Sequence, residues 1–113
     1  MLTIETLKQF GVDTSDGLSR CLGNEDFYFK LIRKVLEDKN FDVLEKAIES
    51  KDLDSAFDAA HSLKGVLGNL AIKPIYDPVN EMTELLRARS DIDYSPYLEI
   101  IKKMKAELTE LAG

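Results

Sequence analysis

A chain of 113 residues can bury one core but has no room for a catalytic domain beside a separate regulatory one, so one domain with one site is expected. Its 15 Lys and Arg against 21 Asp and Glu leave a formal net charge of -6. That balance argues against nucleic-acid and anionic-membrane partners, both of which need concentrated cationic surface. No apolar run nears the roughly 20 residues that span a bilayer. The start, MLTIETLKQF, lacks the pattern of a secretory leader, and the single cysteine, Cys21, cannot form an internal disulfide. A cytoplasmic protein is the expectation.

In chain order, Ile4, Leu7 and the helix-stopping Gly11 predict a first short helix. Thr14 or Ser15 then opens a second that ends near Gly23, with Cys21 as a small, semi-buried apolar residue in it. These two helices, residues 1–23, are expected to lie as a lid across a bundle formed by residues 24–113. Asn24 suits an N-cap, and no glycine or proline follows it before Gly65. A long helix is predicted from there. Its apolar positions Tyr28, Ile32, Val35, Leu36, Val43, Leu44, Ala47 and Ile48 keep helical spacing, although the stripe drifts through Glu37–Asn40, where a bend or short break fits.

After the polar turn Ser50-Lys51-Asp52, a third stripe runs through Leu53, Ala56, Phe57, Ala60, Leu63, Leu67 and Leu70. Ile75, Val79, Met82 and Leu86 mark the next helix, and Asp77-Pro78 resembles a cap with proline in the first turn, placing its regular start there. Beyond Ser90-Asp91, the last stripe is Tyr97, Ile101, Met104, Leu108 and Leu111. No segment alternates with period two. The expected fold is all-α, an antiparallel four-helix bundle with short N-terminal helices and its stripes satisfied within a monomer.

The histidine helix carries the candidate site. At about 100° per residue, His61 falls roughly 120° from the centre of its apolar stripe. Gly65 and Gly68 lie on the same face, with Lys64 one turn on, between that face and the core. Glycine within a helix costs about 1 kcal/mol relative to alanine. Two within so short a span suggest space cleared for a macromolecule to approach the helix beside an imidazole, a nucleophile near neutral pH. Spacing alone also admits a plain surface histidine beside glycines that mark close helix packing.

The string Ala60-His61-Ser62-Leu63-Lys64-Gly65, continuing to Gly68-Asn69-Leu70, resembles the signature of histidine-containing phosphotransfer (HPt) domains. The likeness extends over most of the chain, roughly from Asn24 onward. It implies a four-helix bundle that shuttles phosphate between aspartates of receiver domains and has neither a nucleotide nor kinase activity of its own. By this resemblance, His61 is the phospho-acceptor, Lys64 contacts the phosphoryl group and Gly65 permits receiver docking, while Ser62, Gly68 and Asn69 lie at the rim of the contact. No cofactor is implied for this chain, and any Mg²⁺ would belong to the receiver. Two departures stand out: Ala71 occupies a position where the family commonly has glycine, which bears on how the helix ends, and Leu67 is bulkier than usual but falls on the core stripe.

Other chemistries find little support. The six glycines form no phosphate-cradling loop for an ATP-using kinase. A hydrolase triad lacks a G-x-S-x-G setting, and one histidine with one cysteine cannot supply the usual zinc ligands. The competing reading is a helical adaptor that binds receivers through the same face without carrying phosphate.

Overall fold

A computed structural model describes residues 1–113 as seven helices without strands. The short α1 (Ile4–Phe10) and α2 (Thr14–Arg20) precede α3 (Glu25–Leu36), α4 (Asn40–Glu49), α5 (Leu53–Asn69), α6 (Lys73–Arg87) and α7 (Ser95–Ala112). The last five form an antiparallel four-helix bundle whose first arm is the broken pair α3–α4. Side-chain caps fix several starts: Asn24 accepts from the Phe27 amide at 3.0 Å and Asp52 from the Ser55 amide at 3.1 Å. The Ser55 hydroxyl donates to the same Asp52 carboxylate, and these bonds hold its carboxyl below the usual range.

The structure decides one open point and corrects three expectations. The first arm is two helices, because Asp38 turns its carboxylate onto the Asn40 amide at 2.8 Å and so offers the backbone a partner outside the helix. The interruption shifts the phase of the apolar stripe in α4, so Val43 is exposed while Phe41, Leu44 and Ala47 face the core. α6 begins at Lys73, four residues before the suggested Asp77 cap. Pro74 occupies its first turn, where a missing N–H costs nothing, and Pro78 is buried within the helix. Finally, α2 stops at Arg20, leaving Cys21 just past its end and buried rather than semi-buried.

One contiguous cluster of buried side chains joins Leu2, Leu7 and Val12 of the N-terminal segment to the bundle core. The three bundle corners share a construction. Lys51, Ala71 and Arg89 each adopt a left-handed conformation, with φ of 61°, 58° and 58°. At the α5–α6 corner the Ile72 amide bonds back to the Leu67 carbonyl at 3.0 Å and the Ala71 amide to Gly68 at 3.1 Å. This is a Schellman ending with alanine in the place glycine prefers.

The left-handed turn at Ala71 ends the helix there, so the carbonyl of Leu70, the C-cap of α5, has no helical donor. Tyr28, fully buried on α3, donates its hydroxyl to the Leu70 carbonyl at 2.7 Å. Burial pushes the phenol well above its ordinary pKa, so it remains a donor. α2 crosses the same phenol at Gly17, where an added Cβ would overlap the ring. The Asp13 amide then bonds to the Ala71 carbonyl at 3.1 Å, seating the N-terminal segment on the corner.

Tyr28→Phe should therefore strand the Leu70 carbonyl and cost about 1–3 kcal/mol. Urea denaturation checks this, and a loss under about 0.5 kcal/mol would show that the bond is not what secures the corner.

Candidate functional site

Complete burial of Ala56, Ala60, Leu63 and Leu67 fixes the rotation of α5. His61, Ser62, Gly65 and Asn69 are consequently exposed, with Lys64 and Gly68 half-buried. The imidazole of His61 stacks on Phe57 one turn earlier, with ring centroids 5.6 Å apart and planes 16° from parallel. The Arg87 guanidinium lies 5.0 Å from the centre of the same Phe57 ring. Arg87 also approaches the Glu84 carboxylate at 3.4 Å, and the Lys64 ammonium reaches the same carboxylate oxygen at 3.8 Å. One carboxylate from α6 thus sits between two cations beside the histidine.

An open groove of about 430 Å³ gathers His61, Lys64, Gly65, Gly68 and Asn69 on its α5 side. Ser62 is not part of its lining. One step round the helix, it shares the face of Val66, which lines a separate groove with Leu31 and Val35 of α3. The two glycines also differ. A Cβ on Gly65 would meet nothing within 4 Å, whereas one on Gly68 would come 3.1 Å from Cε1 of Tyr76. Gly65 keeps open space over the helix, and Gly68 makes room for the Tyr76 ring.

The opposite walls come from residues that the sequence reading did not single out: Asp16 and Arg20 of α2, with Lys73 and Tyr76 of α6. Arg20 pairs with Asp16 at 3.4 Å and makes a long contact, 3.5 Å, with the Asn69 side-chain oxygen. Glu84 and Arg87 were missed as well. Their spacing of three residues shows only that they share a helical face, and the packing of α6 on α5 is what brings that face to Lys64. A larger hollow of about 580 Å³ between α4 and α7 is lined by Glu45, Glu49, Asp91 and Lys102 and holds no histidine or cysteine, so size does not select the site.

A sequence model of the Hpt domain matches residues 37–113. The chain belongs to the Hpt domain family, whose members are phosphotransfer modules rather than kinases, act through histidine in two-component signalling and interact with receiver domains. Helices α1 to α3 lie ahead of the matched span, which starts later than the resemblance read from Asn24. Searches of curated proteins and of solved structures found no match. No helix is long and apolar enough to cross a membrane.

The different surroundings of the two glycines give a direct test. Gly65→Ala should stabilise the fold by about 1 kcal/mol through helix propensity alone. In Gly68→Ala, the tight approach to Tyr76 should offset most or all of that gain. Denaturant midpoints of the two variants measure the difference, and equal gains would remove the distinction.

Proposed function

We propose that His61 accepts a phosphoryl group from the phospho-aspartate of one receiver domain and passes it to a second. The observation that carries this reading is the exposure of the chain's one histidine in a groove, beside the unfilled space over Gly65 and one helical turn from Lys64. A neutral imidazole nitrogen attacks phosphorus in line as the phosphorus–oxygen bond to the aspartate breaks. The aspartate leaves as a carboxylate, and the ring N–H proton passes to solvent. Attack by a second receiver's aspartate reverses these bond changes.

Such a transfer needs chiefly positioning and charge balance. Stacking on Phe57 restricts the plane of the imidazole, and Lys64 moves from Glu84 towards the phosphoryl oxygens. Mg²⁺ belongs to the receiver, and this chain supplies no nucleotide or metal site. The N-terminal helices and the bundle work as one unit, as a monomer, in the cytoplasm. Gly68 and Asn69 border the docked partner, with Ser62 at its outer edge. A docking-only adaptor is the second reading, since the groove and the open face over Gly65 would serve binding without chemistry.

Incubation with ³²P-labelled phospho-receivers should put acid-labile, base-stable label on the native chain and none on His61→Gln. Label persisting on His61→Gln would overturn the assignment, and binding without label would favour the adaptor. Lys64→Ala should slow transfer about tenfold or more while leaving the receiver Kd within about threefold. Gly65→Gln should instead raise that Kd about tenfold. Because Glu84 competes for Lys64, Glu84→Gln should raise the equilibrium share of phosphoryl held by this chain about threefold, the scale expected of an exposed ion pair. Quantified label on both proteins reads that share, and no change would mean that the pair exerts no hold on Lys64.

A further inference from the structure

The wall of the groove contributed by α2 lies outside the span matched to the family, yet it faces His61 across the same hollow. We propose that α2 is a working part of the docking site, and that Arg20, together with Lys73 at the start of α6, contacts the anionic face of the phosphorylated receiver. The inference rests on the phosphotransfer reading and assigns two partner contacts beyond the histidine helix.

Charge is the first argument. The chain carries a net -6, so a partner bearing an aspartyl phosphate is repelled by most of its surface. The groove reverses that sign locally: Arg20, Lys64 and Lys73 line it against the single carboxylate of Asp16. Glu84 lies outside the lining and offsets part of the charge on Lys64. The Arg20 side chain is 54% exposed, and Asp16, at 3.4 Å, neutralises only part of its charge. Lys73 is exposed on the facing wall. Charges at such a rim act over roughly a Debye length, about 10 Å at 0.1 M salt, and therefore speed and orient an approaching anionic face.

Placement is the second argument. α2 is held against the groove by the packing of Gly17 on Tyr28, the bond from the Asp13 amide to the Ala71 carbonyl and the contact of Arg20 with Asn69. Arg20 is thereby presented on a helix whose backbone is seated at its N-cap and at its middle. The partner's negative charge then meets cations on two sides of the imidazole, which fixes orientation as well as proximity.

The test compares the full chain with an Arg20→Ser/Lys73→Ser variant whose folding is verified by circular dichroism. Two donors are used: a ³²P-labelled phospho-receiver and phosphoramidate. In phosphoramidate the phosphorus–nitrogen bond to ammonia breaks as the bond to His61 forms, and no protein face is involved. The ratio of receiver-driven to phosphoramidate-driven rate should fall about tenfold at 50 mM NaCl, and the two chains should converge near 0.5 M as screening removes the rim's influence. Asp16→Asn should move the ratio the other way, about twofold upward. An unchanged ratio at low salt, or a loss that persists undiminished at high salt, would overturn the proposal. A native chain that neither donor labels would overturn the phosphotransfer reading itself.

Discussion

The bond from Tyr28 to the Leu70 carbonyl is the constraint on which the arrangement of the site depends. The turn at Ala71 ends the helix and leaves this carbonyl without a backbone donor, and an unpaired buried carbonyl costs about 1–3 kcal/mol. Meeting the need from α3 brings three parts of the chain to one point: the first bundle arm, the end of the histidine helix and, through Gly17, the N-terminal segment. The end of α5 is thus braced a few residues from Gly68 and Asn69. The groove has firm walls because a side chain supplies what the backbone of the corner lacks.

On the α6 side, the site is organised by electrostatics rather than burial. Glu84 approaches Lys64 at 3.8 Å and Arg87 at 3.4 Å, and Arg87 lies over the ring on which His61 stacks. All of these groups are partly exposed, so each contact is weak and exchangeable. Such a set suits the proposed receipt and release of a dianionic group. Under that proposal, strong pairing would hold Lys64 away from the phosphoryl group, and no pairing would leave its long side chain undirected.

Much of this was legible in the sequence, for local reasons. The stripe from Ala56 to Leu67 fixed which face of α5 points outward, and Asn24 marked the start of α3 by its cap. The drift through Glu37–Asn40 was visible, but only the bond from the Asn40 amide to Asp38 shows that it is a full break. Asp77-Pro78 misled because it has the chemistry of a helix start. The actual start is set by the corner that ends α5, which depends on long-range contacts. Arg20, Lys73, Tyr76, Glu84 and Arg87 escaped notice for the same reason: each enters the site from another element, and periodicity along one helix says nothing about its neighbours. Ala71 was seen to affect the helix ending, and its φ of 58° identifies the reason.

At the corners of the bundle and within α5, glycine is placed against its own conformational preference. The three corners that would favour it are turned by Lys51, Ala71 and Arg89, each bearing a Cβ in a left-handed conformation. Inside α5, where it weakens the helix, it appears twice. Moving glycine from position 65 to a corner would relax that corner and stiffen α5, but would cover the open surface beside the imidazole. At Gly65 the chain thus forgoes attainable helix stability and keeps bare surface beside the imidazole.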